Sequence, residues 1–501
     1  MPTSASETRN RIVVAGVAEI VERPGGGDTP RHPAQLIADA CRAACADARI
    51  APRSIDHVSV VNVISWRYAD LPATVTGALG IDASAEYGAP GGETPLRFLH
   101  RAASRISAGQ SRVEIVCGGE ASYSARLASD PVAAFGWPER PPPVEAPFRP
   151  YLNPLAHRLG VVDPVVVYPL YENARLAWEG LAPEEAQRRS AALWAGLSRV
   201  AADNAYAWLR QPLSPDEIAT VTESNRLIAW PYTKSMVANP QVNQAAAFVI
   251  MSEADARAAA LPVERMVTLA FAAEAMEPRD YLARDDFHRS PAMEAVLGAA
   301  RADLDGRQPD HVELYSCFPC VPKMACAVLD RNAALPISVA GGLSFFGGPF
   351  NNYMSHAVAA MVRRLRAAPD QHGLLYGQGE FVTKHFAVRL AGGARGDPGA
   401  FEADASRQAD ADARRGPVPP IVAEAAGPAT LETFTILHDR RGAPAQGIVV
   451  ARLEDGGRTM ARVPLGDGAA LDRLRDPRRT PVGARGHLTP AADAVNEWSF
   501  S

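Results

Sequence analysis

The sequence predicts an α/β protein built from two duplicated βα halves, with a small β-rich domain at its C-terminal end. A helical segment, an Asp-His-Val turn and an apolar strand follow one another twice, in residues 33–64 and in residues 291–314. A second series, in which a helix precedes a strand and a glycine-rich loop, also occurs twice, in residues 95–120 and 353–380. Apolar strands that alternate with helices are typical of layered α/β folds. Because the order of elements repeats, we expect two similar halves that pack against each other.

The helices of the two copies are predicted from apolar residues that recur at intervals of three or four. In the first copy these residues follow Pro33, and they are Leu36, Ile37, Ala40, Ala44 and Ala48. In the second copy they follow Pro291, and they are Met293, Val296, Leu297 and Ala300. Apolar runs predict the strands, which are Val58–Ile64, Val113–Cys117, Val312–Leu314 and Leu374–Tyr376.

An insertion separates elements of the first half and covers about residues 130–231. It begins with a proline-rich stretch and continues with a helix that the spacing of apolar residues predicts for Pro183–Leu209. Tryptophan at helical spacing most often belongs to a core. We therefore predict that Trp178, Trp194 and Trp208 are buried.

The composition of the chain changes after Leu390. Residues 392–429 are rich in Ala, Gly, Pro and Asp, which is typical of a linker. Short alternating segments joined by turns then predict a β-rich barrel or sandwich in residues 430–501. The predicted domains are therefore an N-terminal half (1–265) that includes the insertion, a C-terminal half (266–391), the linker and the β-rich domain.

Composition and charge exclude several classes of protein. The 501 residues include 51 Lys plus Arg and 56 Asp plus Glu, and the net charge of −5 argues against binding to nucleic-acid phosphates. The longest apolar runs, such as Ala245–Met251, are far shorter than the about 20 residues that a membrane span needs. Six cysteines without framework spacing, and a polar segment from Met1 to Asn10 that does not resemble a signal peptide, predict a cytoplasmic protein.

Several motifs occur in the order in which a known superfamily carries them. They are Gly91-Gly92-Glu93-Thr94-Pro95, Val116-Cys117-Gly118-Gly119-Glu120, Asn243-Gln244-Ala245, Glu313-Leu314-Tyr315-Ser316-Cys317, Gly347-Gly348-Pro349 and Tyr376-Gly377-Gln378-Gly379. With these motifs, residues 11–390 resemble the thiolase superfamily, and most of all the thiolase-like proteins related to sterol carrier protein thiolase that carry an additional C-terminal domain. The resemblance implies a five-layered α-β-α-β-α fold and an OB-like C-terminal domain. It also implies membership in the acetyl-CoA acyltransferase family of lipid metabolism, with CoA or acyl-CoA as ligand.

By this resemblance the chain lacks the residues that thiolase chemistry needs. A thiolase attacks with a cysteine whose pKa is lowered by a helix N-terminus and a histidine. Here Gly92 stands at the position of that cysteine, and Tyr315 stands at the position of a histidine. Gly348 replaces the histidine of the Gly-His-Pro motif, and the second cysteine falls near Leu375. We therefore expect no acyl transfer through a cysteinyl intermediate.

Other residues of the same motifs are candidates for function. Phenols relay protons, amides donate to a thioester oxygen, and a carboxylate acts as a base. The catalytic candidates are Tyr315, Tyr376, Asn351 and Glu93. The candidates for substrate binding are Gly92, Thr94, Cys317, Gly347, Gly348, Asn352 and Gln378. Lys234 is a candidate for binding a CoA phosphate, and neither a metal site nor a tightly bound cofactor is predicted.

Most of these candidates also have a purely structural interpretation. Thr94 before Pro95 has the pattern of a helix N-cap, and Glu93 would compensate the dipole of the same helix. The remaining structural interpretations are a helix start for Asn351 and Asn352, two buried thiols for Cys317 and Cys320, a solvated Lys234, and packed or surface positions for His356 and His385.

Three functions compete on the sequence alone. The first is a CoA-thioester-binding protein without acyl transfer, and the second is a retro-aldol lyase that acts on a 3-hydroxyacyl-CoA through Tyr and Asn side chains. The third is a carboxylate- or nucleotide-binding scaffold whose tail makes the main contacts. Convergence of the four catalytic candidates on one cavity would favour the lyase, and their dispersal would favour the binding protein. The resemblance predicts a homodimer through residues 85–89, or a monomer if the additional domain covers that edge.

Overall fold

The computed structural model describes residues 11–142, 149–332, 334–393, 401–491 and 493–501. Residues 1–10, which entered the prediction of the cellular compartment, and residues 394–400 of the predicted linker lie outside the described residues.

The first half begins with β1 (Ile12–Val21), α1 (Pro33–Asp47), β2 (His57–Val60), α2 (Leu71–Leu79), β3 (Ser84–Tyr87), α3 (Thr94–Ser107) and β4 (Val113–Ala121). The insertion follows with α4 (Pro131–Phe135), α5 (Pro154–Arg158), α6 (Pro164–Trp178), α7 (Pro183–Asp203), α8 (Pro215–Ala219), β5 (Leu227–Ala229) and β6 (Tyr232–Thr233). Each helix of the insertion begins with a proline, whose fixed φ and missing N–H suit the first turn. The strand β7 (Asn243–Ser252) then completes the half.

The second half contains α9 (Glu253–Ala258), β8 (Val267–Met276), α10 (Pro291–Asp303), β9 (His311–Leu314), α11 (Cys320–Leu329), α12 (Tyr353–Ala367), β10 (His372–Gly379) and β11 (Lys384–Gly392). The C-terminal region contains α13 (Gln408–Arg414), β12 (Gly427–His438), β13 (Pro444–Leu453), β14 (Arg458–Val463), α14 (Gly468–Leu474), β15 (Arg485–Pro490) and β16 (Asn496–Phe500).

The two halves share one strand order. In the first half the neighbours follow β3-β2-β4-β7-β1, where β2 is parallel to β4 and β7 is antiparallel to β4 and β1. In the second half they follow β9-β10-β11-β8, where β9 is parallel to β10 and β11 is antiparallel to β10 and β8. A short antiparallel pairing of β1 with β8, at Val13–Thr268 and Val14–Val267, joins the halves. The duplication predicted from the sequence is therefore confirmed.

Helices form the remaining layers. On the outside, α1 packs against β1, β4 and β7, and α10 packs against β8 and β11. The helices α3 and α12 contact each other and strands of both halves, so they form the middle layer. Residues 353–362 of α12 are all buried, as expected for a helix that is covered on both sides. The order helix, sheet, helix, sheet, helix confirms the predicted five-layered fold.

The C-terminal region forms a small closed barrel. Its strands follow β13-β14-β16-β15-β12, and β12 also pairs with β13 to close the ring. Phe434, Val449 and Trp498 are among the side chains that fill the barrel. The hydroxyl of Thr433 donates to the carbonyl of Leu170 in α6 (2.6 Å), so the barrel is held against the insertion. The predicted small β-rich domain is therefore confirmed.

One prediction about the core is wrong. Trp194 is buried and its indole N–H donates to Ser344 Oγ (2.9 Å), and Trp208 is half-buried against Tyr123. Trp178, however, is 64% exposed at the last residue of α6. Helical spacing gives the side of a helix on which a residue lies, but it does not reveal whether another element covers the end of that helix.

Two negative findings apply to the described part of the chain. No helix there combines the length and the apolar character that crossing a bilayer requires. The same residues hold no group of three or more His, Cys, Asp or Glu side chains placed to bind a metal ion.

Candidate functional site

The loop before α3 lies against the ends of β9 and β10, and most of the predicted site residues meet there. Gly92 marks the closest approach. A Cβ atom built on Gly92 would lie 2.5 Å from the carbonyl oxygen of Gln378 and 2.5 Å from Cζ of Tyr315, and it would overlap the Tyr315 hydroxyl. Real Cβ atoms essentially never approach another heavy atom within 3.0 Å. No side chain therefore fits at residue 92 unless its neighbours move.

Tyr315 presents a neutral phenol to this loop. Its backbone N–H donates to the carbonyl of Tyr376 (3.1 Å), and its ring lies edge-on to Tyr353 with 5.9 Å between centroids. Burial raises the pKa of Tyr315 well above its ordinary value, and the nearby Cys317 and Glu93 act in the same direction. No hydrogen bond from a described residue occupies its hydroxyl group, which is therefore available as a donor.

Tyr376 is turned towards His385 on the neighbouring strand. The two rings are stacked within 12° of parallel, and the hydroxyl of Tyr376 lies 2.7 Å from Nδ1 of His385. Nε2 of His385 lies 3.2 Å from the carbonyl oxygen of Val382, which can only accept, so Nε2 carries the hydrogen. Nδ1 then accepts from Tyr376. Burial lowers the pKa of His385 to about 4, so its ring is neutral near pH 7.

The hydrogen bonds continue beyond His385. Its Nε2 also lies 3.1 Å from Oγ of Ser290, and that hydroxyl donates to Oε1 of Glu277 (2.8 Å). Burial opposes ionisation of Glu277, but Arg284 and the N–H of Ala292 outweigh it and lower the pKa of the carboxyl. We name the series Tyr376, His385, Ser290 and Glu277 the phenol chain. It connects a buried phenol to a buried carboxylate through a neutral imidazole.

Cys317 and Gln378 form a second group beside the two phenols. Nε2 of Gln378 donates to the hydroxyl of Tyr168 (2.7 Å) and to Sγ of Cys317 (3.3 Å). Burial raises the pKa of Cys317 to about 12, so the side chain is a thiol near pH 7. Cys317 and Cys320 are both buried and free. These environments are the opposite of those that produce a reactive thiolate.

Glu93 adds a buried carboxyl group to the same loop. Only 2% of the residue is exposed, and Oε2 has no hydrogen-bond partner among the described residues. Oε1 lies 3.6 Å from the guanidinium of Arg97. Burial raises the pKa of Glu93 despite Arg97 and Lys384. Glu93 precedes α3 without a side-chain hydrogen bond to its N-terminus, and it lies close to both tyrosines in space.

The two asparagines are used differently. Oδ1 of Asn351 accepts from the N–H of Gly91 (2.9 Å), and its Nδ2 donates to the carbonyl of Asn62 (3.2 Å), so Asn351 holds the loop rather than facing the phenols. Asn352 is buried at the start of α12 without capping that helix, and its amide lies against Gly118. Both amide atoms of Asn352 lack hydrogen-bond partners among the described residues.

The interpretation of Thr94 as an N-cap is wrong. Thr94 is the first residue of α3, and its hydroxyl donates to the carbonyl of Ala89 (3.1 Å) instead of accepting from a helix N–H. Glu93, the residue before Thr94, already has helical backbone angles, so Thr94 lies inside the first turn and its hydroxyl bonds to a residue that precedes the helix. Thr94 therefore fastens the same loop that Asn351 holds.

The glycine-rich loop of residues 341–348 packs against residues 238–244. A Cβ on Gly347 would meet Oε1 of Gln244 at 2.5 Å, and the N–H of Gly348 donates to the carbonyl of Asn239 (2.8 Å). The residues that precede this loop, 338–340, donate hydrogen bonds to Glu313. Lys234 is an exposed residue at the start of a short 3₁₀ turn.

Glu313 fixes the start of the glycine-rich loop. Its Oε2 accepts from Ser338 Oγ (2.7 Å) and from the N–H groups of Val339 (3.0 Å) and Ala340 (3.1 Å). Its Oε1 accepts from the hydroxyl of Tyr353 (2.8 Å). Burial nevertheless raises the pKa of Glu313 to about 7, because the carboxyl group is completely enclosed.

The structure thus brings together some of the predicted residues and leaves others out. Gly92, Glu93, Tyr315, Cys317, Tyr376 and Gln378 form one cluster, which we name the phenol cluster. Sequence analysis missed Tyr168, Ser290 and Glu277 and assigned His385 to packing, because nothing in their local sequence distinguishes them. The phenol cluster lines neither the cavity of about 450 Å³ beside Trp178 nor the one of about 380 Å³ beside Arg112.

Comparisons with known proteins give a consistent result. Residues 410–491 match the family described as thiolase-like protein type 1 additional C-terminal domain. A monomeric SCP2-thiolase like protein type 1 from Mycobacterium smegmatis is 30% identical, with 98% of this chain and 99% of that chain covered and a TM-score of 0.83. No curated protein matches the sequence.

Two more distant structures share the fold. An Ltp2-ChsH2(DUF35) aldolase is 17% identical, with a TM-score of 0.58 and with 77% of this chain and 99% of that chain covered. Human mitochondrial 3-ketoacyl-CoA thiolase, solved in complex with CoA, is 16% identical with a TM-score of 0.54 and the same coverage of 77% and 99%. At these identities the likeness concerns the fold alone.

Proposed function

Because the chain belongs to the SCP2-thiolase-like protein type 1 family, we propose that it binds CoA or an acyl-CoA and has no cysteine-dependent thiolase activity. The observation that carries the proposal is the closed space at Gly92, where the Tyr315 ring and the Gln378 carbonyl exclude any side chain. A nucleophilic cysteine has no room at the position that the resemblance assigns to it.

The state of the remaining thiol supports the same conclusion. Cys317 lies in the phenol cluster, and it is the cysteine best situated to replace the missing nucleophile. Burial raises the pKa of Cys317 to about 12, and the groups that hydrogen-bond it are neutral. Acyl transfer needs a thiolate, which this environment disfavours.

Titration calorimetry with CoA and acetyl-CoA, followed by a thiolysis assay with a 3-ketoacyl-CoA, tests the proposal. We expect saturable binding of CoA and no thiolysis above the uncatalysed rate. An electrophilic substrate mimic should leave every cysteine unmodified while the protein is folded. Thiolysis, or a thiol in the phenol cluster that the mimic labels, would refute the proposal.

A second function is supported by the phenol chain, and we propose it as the alternative: retro-aldol cleavage of a 3-hydroxyacyl-CoA. Cleavage breaks the Cα–Cβ bond as a base removes the proton of the β-hydroxyl group. Tyr376 would take that proton while passing its own to His385, whose positive charge Glu277 would stabilise through Ser290. Tyr315, with its unoccupied hydroxyl, would donate to the enolate oxygen of the departing thioester. The β-carbon leaves as an aldehyde or ketone, and the enolate takes the proton back from His385 through Tyr376 and leaves as an acyl-CoA.

Lyase assays on the Tyr315→Phe and Tyr376→Phe variants test these roles. Loss of a general acid or base lowers a rate by about 100-fold or more. Tyr123→Phe is the matched control, because Tyr123 is 37% exposed and contacts Trp208 rather than the phenol cluster. If a lyase activity is found and survives Tyr315→Phe, the role of Tyr315 is wrong. If no 3-hydroxyacyl-CoA is cleaved while CoA still binds, the binding protein is the correct function.

The oligomeric state belongs to the same proposal, and we propose a monomer. The M. smegmatis relative is monomeric by its description. The strand β3, through which the resemblance predicts a dimer, is a four-residue edge strand, and Arg101 (2.9 Å) and Arg105 (3.1 Å) pair with its Glu86. Short, charged edge strands oppose pairing with another chain. Light scattering at increasing protein concentration should give the monomer mass, and a constant dimer mass would refute this proposal.

A further inference from the structure

A cavity of about 450 Å³ lies in the second half of the fold, apart from the phenol cluster. The end of α6 forms one wall, and α10 and α11 form the floor. The residues that line it include Arg175 and Trp178 from α6, Met293 and Arg301 from α10, and Met324 from α11. Its volume lies within the range of about 300 to 1,000 Å³ that is typical of sites for small molecules.

One side of the cavity is apolar and aromatic. Met293 and Met324 are buried beneath it, and Val328 lies beside them. Trp178 stacks on the ring of His288 at 4.9 Å and 13°, but 64% of Trp178 remains exposed. Burying a large exposed aromatic ring is favourable, and a planar ring of a ligand would bury it by stacking. This side of the cavity is thus suited to the planar ring of a ligand.

The other side of the cavity is cationic. Four arginines and one carboxylate line the cavity; they are Arg175, Arg289, Arg301 and Arg414, with Glu294. Two of the arginines are held in close ion pairs, Arg175 with Glu179 (2.7 Å) and Arg289 with Glu294 (2.6 Å).

Two of the arginines are free to turn towards a ligand. Arg301 lies 3.6 Å from Asp330, and the two side chains are 44% and 79% exposed. Arg414 lies 2.9 Å from Asp410, with 44% and 46% exposed. Exposed ion pairs of this kind contribute little to stability, so exchanging the carboxylate partner for an anionic ligand is easy.

We propose that this cavity binds a small organic anion that carries a planar ring, either a nucleoside monophosphate or an aromatic carboxylate. The ring stacks beside Trp178 over Met293 and Met324. The phosphate or carboxylate accepts from Arg301 and Arg414, because a guanidinium presents its donors in the planar fork that both anions match. The residues of the phenol cluster do not line this cavity, although Ser290 of the phenol chain does.

Calorimetry with the full chain tests the site with AMP and indole-3-acetate as probes and with adenosine and inorganic phosphate as half-ligands. We expect AMP or indole-3-acetate to bind at least about tenfold more tightly than either half-ligand. The probe that binds identifies the source of the anion. Trp178→Ala and Arg301→Gln should each weaken that probe by about fivefold or more, while Leu465→Ala and Arg478→Gln, at residues 55% and 85% exposed elsewhere, leave it unchanged.

The variants also locate the binding. CoA itself contains an adenine nucleotide, so AMP that bound only at the CoA site would be unaffected by Trp178→Ala and Arg301→Gln. That result would overturn the proposal, and so would the absence of binding by both probes up to about 1 mM. Phosphate binding as tight as AMP, with no binding of indole-3-acetate, would likewise overturn it, because the ring would then contribute nothing. Arg301 is half-exposed, so Arg301→Gln decides the test if Trp178→Ala unfolds the protein.

Discussion

Replacing Gly92 with alanine tests the closed space on which the proposed function depends. The new Cβ would overlap the hydroxyl of Tyr315 and lie 2.5 Å from its Cζ and from the carbonyl oxygen of Gln378. One of these groups is a buried side chain, and the other is a backbone carbonyl of β10, which is paired on both sides, so neither can withdraw cheaply. Overpacking of this kind costs about 1 to 3 kcal/mol, and we expect Gly92→Ala to lower the free energy of unfolding by an amount in that range.

The same substitution in a second background identifies the cause. Tyr315→Leu removes both the hydroxyl and Cζ but leaves the Gln378 carbonyl in place. We therefore expect the penalty of Gly92→Ala to fall, but not to vanish, with a coupling energy of about 0.5 to 3 kcal/mol in the double-mutant cycle. The measurement is urea unfolding followed by circular dichroism, read as the change of midpoint at constant slope.

Gly77→Ala is the matched control. Gly77 lies inside α2, and a Cβ there would have no heavy atom within 4 Å. This substitution should stabilise the protein by about 0.5 to 1 kcal/mol, because glycine loses more backbone entropy than alanine on entering a helix. If Gly92→Ala is as harmless as Gly77→Ala, or if its penalty is the same in the Tyr315→Leu background, the closed-space argument is refuted.

Three further predictions concern buried groups. Glu313→Ala leaves the Ser338 hydroxyl, two loop N–H groups and the Tyr353 hydroxyl without their acceptor. Urea unfolding should therefore show a free energy of unfolding lower by about 3 kcal/mol or more, and a decrease below about 1 kcal/mol would contradict the role of Glu313. Burial lowers the pKa of His385 to about 4 in the folded protein, so on acidification the unfolded chain takes up a proton at His385 at a higher pH than the folded protein does. The free energy of unfolding should therefore fall as the pH drops from about 6.5 to 4, and His385→Gln should make that fall smaller. Cys317, with a pKa of about 12, should react with iodoacetamide at pH 8 only after denaturation, and rapid labelling of the native protein would show that its thiol is activated.

The predictability of the fold differs from that of the site. Local pattern located α10 to within one residue, predicted from Pro291 to Leu304 and observed from Pro291 to Asp303. It extended the helix that begins at Pro183 too far, since Leu209 was its predicted end and Asp203 is its last residue. It failed at Trp178, since the covering of a helix end depends on other elements. The motifs make Gly92, Tyr315 and Tyr376 candidates for one site, but they give no indication of whether these residues converge or of what each hydroxyl contacts.

The asparagines illustrate the same difference. Asn351 was a candidate donor to a thioester, but in the folded chain its amide is occupied by Gly91 and Asn62. The sequence predicts a packed or surface position for His385, and in the fold it is buried and is also the hydrogen-bond partner of Tyr376. In both cases the sequence gives the type of the residue but not the direction in which its side chain points. Orientation depends on side chains that are distant in sequence, and no local pattern records them.

Local sequence patterns suffice to predict the duplicated α/β scaffold and the separate β-rich tail, because periodicity and residue identity are local properties of a chain. The closed space that Tyr315 and Gln378 leave at Gly92, and the link from a phenol to Glu277 through His385 and Ser290, are visible only in the folded protein. Those contacts join residues that strands and helices from both halves bring together, and their distances exist only after the two sheets have packed on the shared middle layer.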